Sequence, residues 1–336
     1  MPSPDLVDRA TGALLGLAIG DALGMPTQTL TRAQIAATYG PITGFRDATA
    51  DQPIAPGLPA GTITDDTEQA LMLARLLIEG HGRIDPRTFA DALAAWEEDM
   101  IARGSQDLLG PSTKAAIAAI QAGAGPDDDP GRNGTTNGAA MRIAPVGIAV
   151  APGPDLLPAV VSASRLTHNT GPGLASAAAV AAAVSAALTG APTAAILTAG
   201  IEAADALADA GNHVSADPVG DRIRTAVAAV AGLDETVALE VIATRVGTSV
   251  AANESIPAAF ALIARFGDQP FTALCHAAAI GDDTDTIGAI AGAILGAQHG
   301  TAAWPDEVTD TVIRVNHLDL PPVVADLLAL RTESAR

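Results

Sequence analysis

Apolar residues recur at intervals of three and four along most of the chain, and that spacing predicts helices. Between Asp5 and Ala18, for example, Leu6, Ala10, Leu14, Leu15 and Ala18 share one face. The same periodicity predicts helices near 66–80, 86–103, 112–122, 137–150, 171–190, 192–208, 218–232, 255–266, 268–279, 285–298 and 321–331. Clusters of Gly, Pro, Asn and Asp at 51–61, 123–136, 152–158 and 211–220 punctuate them. The longest irregular stretch is 40–63. No segment alternates cleanly for six residues, so no half-buried strand is expected. Neither an internal repeat nor a compositional break divides the chain, and one all-α domain over residues 1–336 is expected.

Composition sharpens that picture. Of 336 residues 75 are alanine and only 2% are aromatic, so the core must be aliphatic and helix-forming. Hydrophobic residues at 49% exclude a disordered chain. Residues 173–190 carry no charge, but they are mostly Ala with Ser, Thr and Gly, which reads as a buried helix rather than a membrane span. The net charge is −20, with Lys114 the one lysine. A field of that sign repels phosphate backbones and anionic lipid, so no nucleic acid and no membrane is expected as partner. It suits binding of cations. Cys275 is the only cysteine, which excludes an internal disulfide and a multi-cysteine metal site. The opening MPSPDLVDRA lacks the basic and apolar regions of a signal peptide, and a cytoplasmic location is expected.

Two acidic clusters carry the candidate chemistry. Thr64-Asp65-Asp66-Thr67-Glu68 and Gly281-Asp282-Asp283-Thr284-Asp285-Thr286 each open an apolar helix. A single carboxylate there would be an ordinary cap. Paired carboxylates in apolar surroundings exceed what a cap requires, because unpaired buried charge is costly. Together Thr64, Asp65, Asp66, Asp283, Asp285 and Thr286 form a hard, all-oxygen ligand set suited to two divalent cations, Mg²⁺ or Mn²⁺. The phosphatase DxDx[TV] pattern fails at Ile287, and no GxxxxGK[ST], HExxH or GxSxG occurs. Weaker clusters add to the pattern. Gly20–Pro26 reads as a glycine-terminated helix end. Gly134–Arg142 is a glycine-rich turn whose N–H groups and Arg142 could hold a phosphate. His168 reads as a cap or a hydrogen-bonded core residue.

In this order GDALGMP, TITDDTEQA, NGAAMRIAPVG, LTHN and GDDTDTIGAIAGAILGA resemble the ADP-ribosylglycohydrolases, over roughly residues 6–305. The resemblance implies a compact orthogonal multi-helix bundle with a binuclear metal centre at the bottom of a cleft. It places Thr64, Asp65, Asp66, Asp283, Asp285 and Thr286 as ligands. It places Asp21, Gln28, Trp96, Asn137, Gly138, Ala139, Met141, Arg142 and His168 on the substrate side. Gln28 stands where relatives acting on ADP-ribose often carry an acid, and Asp282 where a second glycine is usual.

The expected reaction is hydrolysis at the ribose anomeric carbon by a metal-activated water, with Asp65 or Asp66 accepting its proton. The expected substrate is an ADP-ribosyl adduct. Gln28 favours an alternative, a smaller N- or O-riboside or nucleoside-like metabolite. A third reading is a non-catalytic relative that binds metal or nucleotide. The oligomeric state is left open.

Overall fold

The uncharged run becomes the axis of the molecule. The structure, a computed structural model, describes residues 2–104, 109–124 and 128–334. Its helices are α1 (Pro4–Gly24), α2 (Arg32–Tyr39), α3 (Asp65–Glu79), α4 (Pro86–Ala102), α5 (Pro111–Gln121), α6 (Gly138–Met141), α7 (Ala144–Ala149), α8 (Leu156–Ser164) and α9 (Gly171–Ala187). After these come α10 (Thr193–Ala206), α11 (Val219–Val230), α12 (Glu235–Val241), α13 (Ala252–Phe266), α14 (Pro270–Ala277), α15 (Thr284–His299), α16 (Asp306–Asn316) and α17 (Leu320–Ser334). Every residue of α9 except Pro172 is buried, and α6, α7, α8, α10, α13 and α15 pack around it. Its alanines give those neighbours a thin surface to approach. One contiguous core runs from Ala10 to Leu328. Among the described residues there is no strand, only isolated bridges of Thr136 with Ala251 and Thr170 with Asn212. No described helix is long and apolar enough to cross a membrane.

The contact that positions the site is the antiparallel pair α1 and α15. A Cβ added to Gly16 would lie 2.1 Å from the Gly292 carbonyl oxygen, and one added to Gly292 would lie 1.9 Å from that of Gly16. Backbone therefore touches backbone, and only glycine fits. The same register seats Gly24 against Asp285, where a Cβ would be 2.3 Å from the Asp285 Cα. The end of α1 is thus locked to the first turn of α15.

Three expectations are corrected. The first helix extends beyond the expected Ala18; α1 runs on to Gly24 and ends inside the expected Gly20–Pro26 cluster, while its glycines also serve the contact with α15. The expected helix over 137–150 breaks into α6 and α7, since Pro145 opens α7 and its ring excludes a continuous helix through the Met141 carbonyl. Helices α2, α8, α12 and α16 form where none was expected. Of these, α8 starts inside the 152–158 cluster, with Pro158 tolerated in its first turn. The many β-branched residues of α16 are weak helix formers held by packing. Part of the 123–136 cluster, residues 125–127, lies outside the described residues. Stretch 40–63 is irregular as expected.

Candidate active site

Helix α3 begins without help from its own N-cap, Thr64, whose side chain makes no capping bond. The cap comes from α1. Asp21, fully buried, accepts hydrogen bonds from Thr64 N at 3.0 Å, Thr64 Oγ1 at 2.7 Å, Thr67 N at 3.1 Å and Thr67 Oγ1. Burial pushes its carboxyl up to about 6, against the pull of those four donors. Asp21 therefore stands behind the first acidic motif and holds it, instead of meeting substrate.

The two acidic motifs meet at Asp66. Its Oδ2 accepts from Thr286 Oγ1 at 3.4 Å and lies 3.4 Å from Thr64 Oγ1, whose proton goes to Asp21, while its Oδ1 is buried with no partner. Burial, and then the charges of Asp65, Asp285, Asp21 and Asp283, push Asp66 well above the usual carboxylate range. Asp283 is also pushed up, to about 6, chiefly by burial, although Asn137 Nδ2 donates to its Oδ2. Asn137 Nδ2 also donates to Ser255 Oγ at 2.9 Å, which ties the second motif to α13.

In front of these groups lies a cavity of about 200 Å³. Of the residues expected at the site, Gln28, Asp65, Asn137, Gly138, Met141, Asp283, Asp285 and Thr286 line it. Thr136, from the expected Gly134–Arg142 turn, also lines it, and sequence reasoning missed Thr29, Ile54, Gly110, Pro111, Thr113 and Val250, which complete the walls. They come from loops and helix starts without periodic pattern; only the Gly-Pro opening of α5 was a visible signal. No Lys, Arg or His stands among the described lining residues. The oxygen-only donors and the orphaned Asp66 Oδ1 fit a hard divalent cation. Among the described residues no three carboxylate, imidazole or thiolate groups close on one point as a ready-made ligand set. The carboxylates take hydroxyl and amide partners in its place.

Arg142, Ala139, His168 and Trp96 are not in the described lining. Arg142 is fully buried, its Nη1 donates to Gln69 Oε1 at 2.8 Å, its Nη2 donates to Thr167 Oγ1 at 2.6 Å, and its guanidinium lies 5.1 Å from the centroid of the Phe89 ring. Its described bonds are made within the protein and not toward the cleft. Gln69 Nε2 in turn donates to Asp65 Oδ2 at 2.8 Å. In the other direction Thr167 Oγ1 meets His168 Nδ1 at 2.8 Å, His168 Nε2 meets Thr136 Oγ1 at 2.9 Å, and Thr136 Oγ1 donates to Ser112 Oγ at 3.1 Å. With Thr136 donating to Ser112, His168 carries its proton on Nε2. Burial, and then the Arg142 charge, lower His168 to about 3, so its imidazole is neutral. Gly138 lies directly over that ring, where a Cβ would sit 3.1 Å from it. Ala139 is buried in α6. Trp96 is a core residue of α4 whose Nε1 donates to Glu68.

Gln28 is placed from both sides. Its N donates to Gly24 O and its O accepts from Gln52 Nε2, both at 2.9 Å. The next residue, Thr29, has φ +65°, and its N donates 2.6 Å to the carbonyl of Asp282, which has φ +60°. A glycine would take the Asp282 conformation without strain, which explains the usual residue there. The Gln28 side chain is 6% exposed and its Nε2 has no partner, so a buried donor waits at the cleft wall.

Comparison with known proteins gives a consistent family. The ADP-ribosylglycohydrolase family matches residues 2–336. An uncharacterized protein of Escherichia coli strain K12, YegU, is 34% identical over 334 residues, covering 93% of this chain and 94% of its own. The ADP-ribosyl-[dinitrogen reductase] glycohydrolase of Rhodospirillum rubrum is 35% identical over 50% of this chain and 54% of its own. A solved structure described as an ADP-ribosylglycohydrolase-related protein complex aligns with TM-score 0.71 and 28% identity, covering 99% of this chain and 100% of that one.

Proposed function

This chain belongs to the ADP-ribosylglycohydrolase family, whose members hydrolyse glycosidic bonds and generally depend on divalent metal, and from that premise we propose that it cleaves the bond at the ribose anomeric carbon of an ADP-ribosyl adduct. One observation carries the metal dependence. Asp65, Asp283 and Asp285 line one cleft whose described lining contains no cationic side chain, and Asp66 is buried within reach of their charges. Such a cluster is stable as anions only with cations among it.

Thr64, Asp65, Asp66, Asp283, Asp285 and Thr286 would hold two ions, Mg²⁺ or Mn²⁺, which would supply Lewis-acid charge for orienting a ribose and activating a water. Asp65, which lines the cleft, or Asp66, buried beside it, would accept a proton from that water. The carboxylates also favour positive charge at the sugar as the transition state takes on oxocarbenium character. Asn137 holds Asp283 in place, and Asp21 holds the start of α3. Gln28 meets the substrate from the opposite wall. The substrate side of the site is thus Gln28, Asn137, Gly138 and Met141, with Asp21, Ala139, Trp96, Arg142 and His168 behind it.

A second reading rests on the same cleft. At about 200 Å³, with no cationic side chain in its described lining for a diphosphate, it fits a sugar-sized group, which favours a smaller N- or O-riboside. The test measures release of ADP-ribose from ADP-ribosyl-arginine, and of ribose from a panel of simple ribosides, with Mg²⁺, with Mn²⁺ and with chelator. Turnover that requires metal and is lost in Asp285→Ala supports the reading. Turnover unaffected by chelator sinks it.

A further inference from the structure

The buried guanidinium of Arg142 has no carboxylate partner within salt-bridge reach among the described residues; its bonds are to an amide and a hydroxyl. Fully buried cations are normally paired, so its place needs a reason. A guanidinium only donates. The Gln69 oxygen must therefore face Arg142, and the Gln69 amide nitrogen must face the other way. There it donates 2.8 Å to Asp65 Oδ2, one helical turn back on α3. Without Arg142 that amide could turn over and present its oxygen to the carboxylate. The Phe89 face and the Thr167 hydroxyl fix the guanidinium plane, so it has no freedom to release Gln69.

We infer that Arg142 and Gln69 are positioning residues for Asp65: the donor-only guanidinium sets the orientation of the Gln69 amide, and the amide pins one oxygen of Asp65 so that the carboxylate is held for the cleft cation. This rests on the reading that Asp65 holds a divalent ion. Partners behind a ligand carboxylate commonly govern its affinity for metal by ten- to a hundredfold.

Gln69→Glu separates positioning from packing. It keeps the shape and gives Arg142 an acceptor at least as good, so the buried cation remains held. It removes the donor to Asp65 and sets a second anion beside it. Mn²⁺ binding to the full chain is measured by calorimetry for the wild type and the variant, with thermal melts of the metal-free proteins. The expected result is a melting temperature equal to or above that of the wild type, with the Mn²⁺ dissociation constant raised about tenfold or more. If the Gln69→Glu chain does not fold, Gln69→Met, which has no amide donor and also leaves Arg142 Nη1 without its acceptor, is read by its Mn²⁺ dissociation constant alone, in folded protein, with the same tenfold or greater rise expected. A variant that binds Mn²⁺ as tightly as the wild type overturns the inference while leaving the metal site standing. A wild type that binds no Mn²⁺ overturns both.

Discussion

Gln28 places an unsatisfied buried donor on a wall that otherwise offers hydroxyls, methyl groups and carboxylates. An amide both donates and accepts, whereas a carboxylate only accepts and attracts cations. Gln28→Glu is therefore expected to raise kcat/KM for ADP-ribosyl-arginine, whose guanidinium is a donor-only cation, by about tenfold relative to simple ribosides. Wild-type and variant kcat/KM values on both substrate classes check this, and an unchanged ratio would show that Gln28 does not read the leaving group. Thr29 is strained beside it, since a β-branched residue at φ +65° is unfavourable by roughly 1–2 kcal/mol. Thr29→Gly removes the strain at the expense of roughly 1 kcal/mol of unfolded-chain entropy. The melting temperature should stay level or rise, which is unusual for a Thr→Gly change.

Among elements, the pair α1 and α15 matters most. Gly16→Ala would drive a methyl group into the Gly292 carbonyl at 2.1 Å, and neither backbone can yield without parting the helices. A destabilisation of about 3 kcal/mol is expected, read from denaturant unfolding, with Mn²⁺ affinity falling because Asp21 and Asp285 separate. The two acidic motifs and their helices were legible in the sequence because paired carboxylates before an apolar period have few other uses. The Gly20–Pro26 cluster was rightly read as the end of the first helix, but the second use of the α1 glycines, as the face that meets α15, was hidden, because a glycine required by a neighbouring backbone looks the same as one required by a turn. The surroundings of Arg142 were hidden for a related reason. An arginine beside a glycine-rich turn suggests an anion site, and only the fold shows Gln69, Thr167 and Phe89 closing around it. Thr29, Ile54 and Val250 left no periodic trace, since loops and chain bends place them in the cleft.

The whole molecule carries a net charge of −20 and gathers its most buried acids in one place. In the ion-free fold Asp21 and Asp283 hold protons up to about pH 6 and Asp66 is raised further, against an ordinary value of 3.8. The folded chain thus binds more protons than the unfolded one between those values, and the stability these groups contribute is lost as pH rises through about 6. Ions must displace the same protons. The rise in melting temperature on adding Mg²⁺ or Mn²⁺ should therefore be small near pH 5 and large near pH 7.5, as differential scanning fluorimetry would read it. His168 acts in the opposite sense, because its folded value of about 3 lies below its ordinary 6.5 and its contribution falls as pH drops. That contribution is common to both samples and cancels in the difference. A pH-independent increment would mean the acids do not meet the ions.

The joining of α1 to α15 also sets when the site can exist. Asp66 and Thr286, which touch, are 220 residues apart in sequence. On the ribosome α1 and α3 emerge early, carrying Asp21, Asp65 and Asp66, with the glycine face of α1 bare and the acids without their counterparts. That face must wait, exposed, until α15 has been synthesised and docks against it. Helical proteins usually fold fast because their contacts are local, but this one closes its decisive contact across most of the chain. The site can then form only after α15 has been synthesised, and the waiting glycine face is the surface on which a chaperone would have the longest time to act.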